Sequence, residues 1–401
     1  TKMGEEKKLR YIVSRRCVDV NSADFKTAEA PFEMKCCFVM AGCVLAIATI
    51  LPLFASFMFG GWTAEYTSAP HFKVEDIPRL TSKIAIVTGA NTGIGKVTAL
   101  EFARAGATVY LGSRSVAKGN AAKAWIDSEL IGVAGKGRVV VQQLDLASFA
   151  SIRAAAASIK AATSKVDLLV LNAGVMKSPG ELFAGQKFTY GFEQTIEGFE
   201  YHIGVNHIGH FHLTSLLDAE IRAAEAPRVV SVSSAAEQGA SPQGMDFDMW
   251  KTEGMPATYE DGVAYGQSKL ANILFARELA KRMASSGAPH VSAYSLHPGL
   301  IDTELSRYMM SEMAEQAMGS KLKTFANAMF QKVFENVMFS PRGGALTQLY
   351  CATQAIDPAF NGGYFIPVGL HVAPTHPKAS DDELAAMLWA KTEAAIAAAS
   401  P

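Results

Sequence analysis

Beyond residue 80 this 401-residue chain has a single cysteine, Cys351; the other four, Cys17, Cys36, Cys37 and Cys43, lie at its front. No internal disulfide can therefore hold the folded body, and the redox compartment is left open. Excess charge is missing too: 37 Lys and Arg face 38 Asp and Glu, and the net charge of -1 gives no support to nucleic-acid binding. There is no internal repeat of about 20 to 50 residues. His202, His207, His210 and His212 crowd one predicted helix, but only His207 and His210 are spaced i, i+3, with no evident third ligand, so no metal site is expected. The Asn-x-Ser/Thr acceptor is absent, which weakly disfavours a glycosylating lumen.

One long stretch lacks charge altogether. From Cys36 to Ala64 no Asp, Glu, Lys, Arg or His occurs, a run long enough to cross ~30 Å of hydrocarbon as a helix. Residues 36–62 are expected to be a transmembrane helix, with Trp62 at its interface, after a polar segment over 1–35. A linker over 63–80 holds Pro70 and Pro78. Arg16, Lys26 and Lys35 on one side balance Lys73, Arg79 and Lys83 on the other, so orientation does not follow. The chain begins at Thr1, and a processed N-terminus is left open.

What is present is a globular-core composition, 49% hydrophobic. Lys83 to Val87 is a short β-branched run, Thr88 to Gly95 a glycine-rich turn, and Lys96 to Ala105 a run of helix formers. Strand, tight turn and helix are where a dinucleotide pyrophosphate sits, because helix N-terminal amides attract phosphate and glycines let the backbone come close. Gly89, Asn91, Thr92, Gly93, Ile94 and Gly95 are the candidate contacts. A second strand, Ala107 to Leu111, leads to Ser113 and Arg114, where NAD-preferring folds carry a carboxylate. A guanidinium beside a hydroxyl suits a 2′-phosphate, so NADP(H) is expected over NAD(H).

Apolar strands then alternate with helices: Arg138 to Gln143, a helix from about Ser148, and Val166 to Leu171. This pattern predicts an α/β fold, a doubly wound parallel sheet of Rossmann type covered on both faces, over residues 81–370. Asp145, Leu146, Asn172, Ala173 and Gly174 fall at strand carboxyl ends, where such sheets bind ligands.

In that order along the chain, Thr88-Gly89-x-x-x-Gly93-x-Gly95, Asn172-Ala173-Gly174, Ser233-Ser234 and Tyr265-x-x-x-Lys269 resemble the short-chain dehydrogenase/reductase family. Gly198 to Phe211, Ala264 to Asn272 and His297-Pro298-Gly299 are similar to its retinol dehydrogenase and WW-domain-oxidoreductase branch. The resemblance implies that Ser234 bonds the substrate oxygen, Asn206 supports a proton relay, and Lys269 holds the nicotinamide ribose. It also implies that Pro298, Gly299 and Thr303 close on the nicotinamide, and that Tyr265 exchanges a proton with substrate.

Tyr265 and Lys269 are i, i+4 and share a helix face. A phenol of pKa about 10 is a poor catalyst at neutral pH, and a nearby ammonium is expected to favour the phenolate. Two stretches, Ser178 to Thr195 and the 30 residues between Ser234 and Tyr265, are longer than the branch leads one to expect and are expected to reshape the substrate mouth. Leu305 to Phe339 is methionine- and phenylalanine-rich, and a lid over an apolar ligand is expected there. Ser340-Pro341 opens a helix, and Gly363 to Gly369 is the last strand. In the tail, 371–401, a helix over Asp381 to Ala398 is expected to dock through its first two turns only, because Lys391 interrupts its apolar side.

These features point to a membrane-anchored NADP(H)-dependent oxidoreductase of a lipophilic, retinoid-like or long-chain carbonyl or alcohol, in the endoplasmic reticulum or another organellar membrane. The competing class is a non-catalytic nucleotide-binding subunit of a membrane assembly. Homo-oligomer and complex contacts are left open.

Overall fold

Apolar, β-branched runs become strands here because helices cover them on both sides. The computed structural model describes residues 71–176, 193–251, 259–299, 301 and 339–399. The expected transmembrane helix at 36–62, residues 178–192 of the long stretch from Ser178 to Thr195, residues 252–258 of the stretch between Ser234 and Tyr265, Thr303 and the methionine-rich segment up to 338 lie outside the described residues. Among the described residues no helix is long and apolar enough to cross a membrane.

Eight strands form one sheet: β1 (Ile84–Val87), β2 (Thr108–Ser113), β3 (Arg138–Gln143), β4 (Leu168–Leu171), β5 (Arg228–Val232), β6 (Ser292–Leu296), β7 (Tyr364–Ile366) and β8 (Leu370–Val372). Their order is β3-β2-β1-β4-β5-β6-β7-β8, and every pairing is parallel except β7 with β8. The order reverses between β1 and β4, so a crevice opens there at the strands' carboxyl ends.

Alternation along each strand sorts side chains into two layers. Ile86, Leu169, Leu171 and Val229 face α3 (Phe149–Ala162), α4 and α6 (Asp261–Ser285). Here α4 is one helical stretch made of Tyr201–Ile203, a π turn over Gly204–Ile208, and Gly209–Leu216; the short α5 is Asp218–Arg222. Ala85, Val87, Val170 and Val230 face α1 (Gly93–Arg104), α2 (Val116–Glu129) and α7 (Pro341–Thr353). The Ser340 hydroxyl accepts from the Gly343 amide and Pro341 takes the first turn of α7, as its sequence predicts.

The last helix, α8 (Asp382–Ala399), corrects one expectation. It docks along most of its length through Ala385, Leu388 and Thr392, while Met387 is half exposed. Trp389 explains the extended contact: its ring stacks on Phe275 of α6 at 5.8 Å and meets Phe211 of α4 edge-on at 4.6 Å. Thr392 continues the seam where Lys391 does not, because its hydroxyl donates to Leu388 O at 2.7 Å and accepts from His207 Nε2 at 2.9 Å. The tail and the sheet are thus one folded body.

Candidate active site

The turn after β1 uses its glycines for two different purposes. At Gly89 (φ +63°) an added Cβ would lie 2.8 Å from Ala173 Cα, and at Gly95 it would meet the Asn172 amide nitrogen. Both let the turn pack against the Asn172-Ala173-Gly174 segment. Gly93 differs: its φ of +56° suits glycine and nothing lies within 4 Å of an added Cβ. Its open side belongs to a cavity of about 600 Å³ that it lines together with Asn91, Thr92, Ile94 and Gly95. Thr92, at the N-cap of α1, makes no side-chain cap bond, and no acidic residue stands in the first turn. Those amides can therefore serve an anion.

Residues around this turn are cross-braced. Asn172 Nδ2 donates to Thr88 O at 2.8 Å, and the Ala173 amide donates to Thr88 Oγ1 at 2.9 Å. His210 lies 2.8 Å from the same hydroxyl through Nε2 and donates from Nδ1 to Asn206 O at 2.9 Å. Since a carbonyl only accepts, the proton is on Nδ1 and Thr88 donates to Nε2. Burial, aided by the nearby Lys269 charge and opposed by the bond to Asn206, holds His210 down at about 4, which keeps this neutral form.

Asn206 sits in the π turn of α4, fully buried. Its Oδ1 accepts from Val175 N at 2.8 Å, and its Nδ2 donates to Val175 O at 3.0 Å and Ser268 Oγ at 2.9 Å. Ser268 in turn donates to Tyr265 O at 2.7 Å. Gly174 stands between the two: an added Cβ would lie 3.2 Å from Lys269 Nζ and 3.6 Å from Asn206 Oδ1.

Geometry separates the two serines. Ser233 Oγ donates to Lys269 O at 2.6 Å, which ties β5 to α6, whereas the Ser234 hydroxyl accepts from Ala236 N at 3.2 Å and lines the cavity with Tyr265. Lys269 Nζ donates to Val232 O at 3.2 Å and lies 5.5 Å from the Tyr265 ring centroid. Burial pushes the phenol up to about 12, against the effect of the Ser234 hydroxyl, and draws Lys269 down to about 8. Desolvation, which penalises both charged forms, sets the direction of both shifts, and the ammonium is not among the causes acting on the phenol.

At the other end of the cavity Arg114 donates to Tyr201 Oη at 3.1 Å, and both line the space. Ser113 departs from expectation: it is buried, its hydroxyl donates to Ser115 O at 2.8 Å, and it is not among the lining residues. Asp145 and Leu146 do line the cavity, and Asp145 Oδ1 accepts from Ala147 N at 3.0 Å. Pro298 and Gly299 line it too, and Ile301 beside them. His297 accepts from Ala235 N through Nδ1 at 3.2 Å, so Nε2 carries its proton. Burial holds it near 3. His297 Nε2 and Asn172 Oδ1 are buried polar atoms without a protein partner on residues that line this cavity.

A cavity lined by a glycine cradle, by two residues with orphaned polar atoms and by Tyr265, Ser234 and Lys269 fits a dinucleotide; Asn206 is fully buried and does not line it. Sequence reasoning passed over Thr88 and His210 as braces, and Val175 and Tyr201 as lining. Thr88 was legible within its motif, but the other partners are set by the chain's return through α4.

Comparison with known proteins agrees. A short chain dehydrogenase family model matches residues 83–246. Mouse retinol dehydrogenase 11 is 40% identical over 287 residues, which cover 72% of this chain and 78% of that protein. Human retinol dehydrogenase 13 is 37% identical over 324 residues, 80% and 87% of the two chains. Among solved structures, an uncharacterized protein from Mycobacterium paratuberculosis is 31% identical, with a TM-score of 0.56 over 81% of this chain and 97% of that one. The L-sorbose reductase of Gluconobacter frateurii, complexed with NADPH and L-sorbose, has a TM-score of 0.53 at 19% identity, covers 73% and 97% of the two chains, and shares the fold.

Proposed function

The chain belongs to the short-chain dehydrogenase/reductase family, in its retinol dehydrogenase-like branch, and on that premise we propose that it is an NADP(H)-dependent enzyme of lipophilic substrates with Tyr265 as acid/base. An oxidoreductase of this family interconverts carbonyl and alcohol groups with a nicotinamide cofactor. One observation carries the proposal: Ser234, just after β5, and Tyr265 and Lys269 of α6 line a single cavity together with the glycine turn, and Asn206 of α4, buried behind its wall, bonds Val175 and Ser268.

The cofactor, when bound, supplies or accepts the hydride. Tyr265 gives its proton to the carbonyl oxygen in reduction and takes the alcohol proton in oxidation. Ser234 donates to the same oxygen and stabilises charge as it develops. Lys269 holds the ribose and restores the Tyr265 proton, with Asn206 beside it supporting the relay. Arg114, oriented by Tyr201, favours a 2′-phosphate. Gly89, Gly93 and Gly95 would seat the pyrophosphate, Asn172 to Gly174 the adjoining ribose, and Pro298, Gly299 and Thr303 the nicotinamide.

The charge-free run at 36–62 and the methionine-rich stretch after Ile301 support an anchored enzyme that takes retinoid-like or long-chain substrates from the bilayer. NADPH oxidation by detergent-solubilised full-length protein over retinal, long-chain and short-chain aldehydes tests it, with Tyr265→Phe and NADH alongside. Turnover lost in Tyr265→Phe, and preference for NADPH and long chains, is the expected result. NADPH binding without turnover across the panel overturns it.

A further inference from the structure

Ser234 stands at the head of a turn that the tail of the chain holds in place. Its hydroxyl accepts from Ala236 N at 3.2 Å and so caps the short helical turn Ala235–Gly239, which leaves its own proton to donate toward substrate. The spacing Ser234-Ala235-Ala236-Glu237 is that of a capping box, in which the glutamate reaches back to the amide of the first residue. Glu237 reaches elsewhere. It is fully buried, and its carboxyl group accepts from Thr375 N at 2.9 Å and His376 N at 3.0 Å, two amides of the segment that follows β8. His376 adds a second tie. Its Nδ1 accepts from Lys378 N at 3.1 Å, so the proton is on Nε2, which donates to Ser241 O at 3.1 Å. The turn also packs on α6 beside the phenol: at Gly266 an added Cβ would lie 2.7 Å from Ala240 N and 2.9 Å from Ala236 O.

We propose that Glu237 is a positioning residue for Ser234, which ties the serine's turn to the tail at Thr375 and His376 and thereby sets the direction of the hydroxyl. This rests on Ser234 donating to the substrate oxygen. The connection is short. Glu237 N donates to Ser234 O at 3.1 Å, and the Ala236 amide that orients the hydroxyl belongs to the residue just before Glu237. A shift of the turn therefore moves the one amide that aims the hydroxyl, while Tyr265 stays on α6. Burying a carboxyl group is costly, and an apolar side chain would fill the same space at less cost. What only an acceptor can do there is hold main-chain amides of the tail, 138 and 139 positions away.

The test is a double-mutant cycle on the single-turnover rate of NADPH oxidation by the solubilised full-length protein with a long-chain aldehyde, with NADPH affinity measured beside it. Ser234→Ala should slow the step by about 100-fold, as loss of one donor to a developing oxyanion does. Glu237→Leu keeps the volume but no acceptor, and should slow it by about tenfold with NADPH affinity within about threefold. In the Ser234→Ala background the same change should cost less than about twofold, because there is no hydroxyl left to aim. A merely structural role predicts losses that multiply. Glu237→Gln, which keeps an oxygen for the two amides, should restore the rate to within about threefold of the parent. An unmoved rate in Glu237→Leu overturns the proposal, as do multiplying losses in the double variant or a Glu237→Gln protein as slow as Glu237→Leu. Should Glu237→Leu fail to fold, His376→Phe, which removes the tie to Ser241 O, enters the same cycle: a slower step that Ser234→Ala abolishes supports the proposal, and an unmoved or multiplying one overturns it. Ser234→Ala separates the two levels. A full rate there refutes the serine's role itself, whereas a slowed one with Glu237→Leu unmoved removes the role of Glu237 alone.

Discussion

Thr88 and His210, 2.8 Å apart through hydroxyl and imidazole, join the glycine turn to the helix that carries Asn206. The same hydroxyl accepts the Ala173 amide and the same imidazole donates to Asn206 O, so three motifs far apart in sequence share one hydrogen-bond chain.

Thr88→Val breaks this chain at its centre. It leaves the Ala173 amide and His210 Nε2 without their partner, a loss of about 1–3 kcal/mol for buried polar groups. Chemical denaturation should show that loss, and NADPH affinity should fall with it because Ala173 and Asn206 are both displaced. Unchanged stability and affinity would mean that the chain is dispensable.

Arg114→Ala should weaken NADPH use by about 10- to 100-fold in kcat/KM, the range of one or two charge-assisted hydrogen bonds, while NADH use changes little. Steady-state kinetics with both cofactors is the measurement, and equal losses for the two would disprove 2′-phosphate recognition.

Gly174→Ala isolates the Lys269–Asn206 pair. Its new methyl group would sit 3.2 Å from Lys269 Nζ, where the flexible lysine can yield. The fold should persist, with melting within about 2 °C of the parent, while kcat drops by about tenfold or more as the ammonium is displaced. A parallel fall in melting temperature would count against the reading.

Glu237, in the turn that follows Ser234, is fully buried and accepts from the Thr375 and His376 amides at 2.9 and 3.0 Å. Burial, opposed by these amides, pushes it up to about 7. The folded protein then keeps a proton that the unfolded chain gives up, so the stability from this group is full below the carboxyl's ordinary pKa and falls as pH rises toward 7. Against Glu237→Gln, which cannot titrate, the wild type should lose about 1–3 kcal/mol between pH 4.5 and 8. Parallel denaturation curves across that range would rule this out.

Much of the site was legible because its chemistry needs particular residues at short spacings. Gly89, Gly93 and Gly95 mark a turn that approaches a ligand, and Tyr265 with Lys269 marks a helix face. Side-chain direction was not legible. Ser113 follows the second strand as a phosphate ligand would, yet it turns to Ser115 O, because one peptide's rotation decides which neighbour a short hydroxyl reaches. Nor was the phenol's burial legible: the ammonium's proximity follows from i, i+4, whereas the desolvation that pushes the phenol up comes from the surrounding body.

By itself the sequence determined the alternation of strand and helix, the glycine turn and the shared helix face of Tyr265 and Lys269, since local periodicity and backbone demands are written in neighbouring residues. Only the tertiary structure decided that His210 braces Thr88, that His202 meets Tyr265, and that Trp389 and Thr392 seat the last helix across α4 and α6. Those contacts join residues dozens to hundreds of positions apart, and their energies depend on burial that no single segment can create.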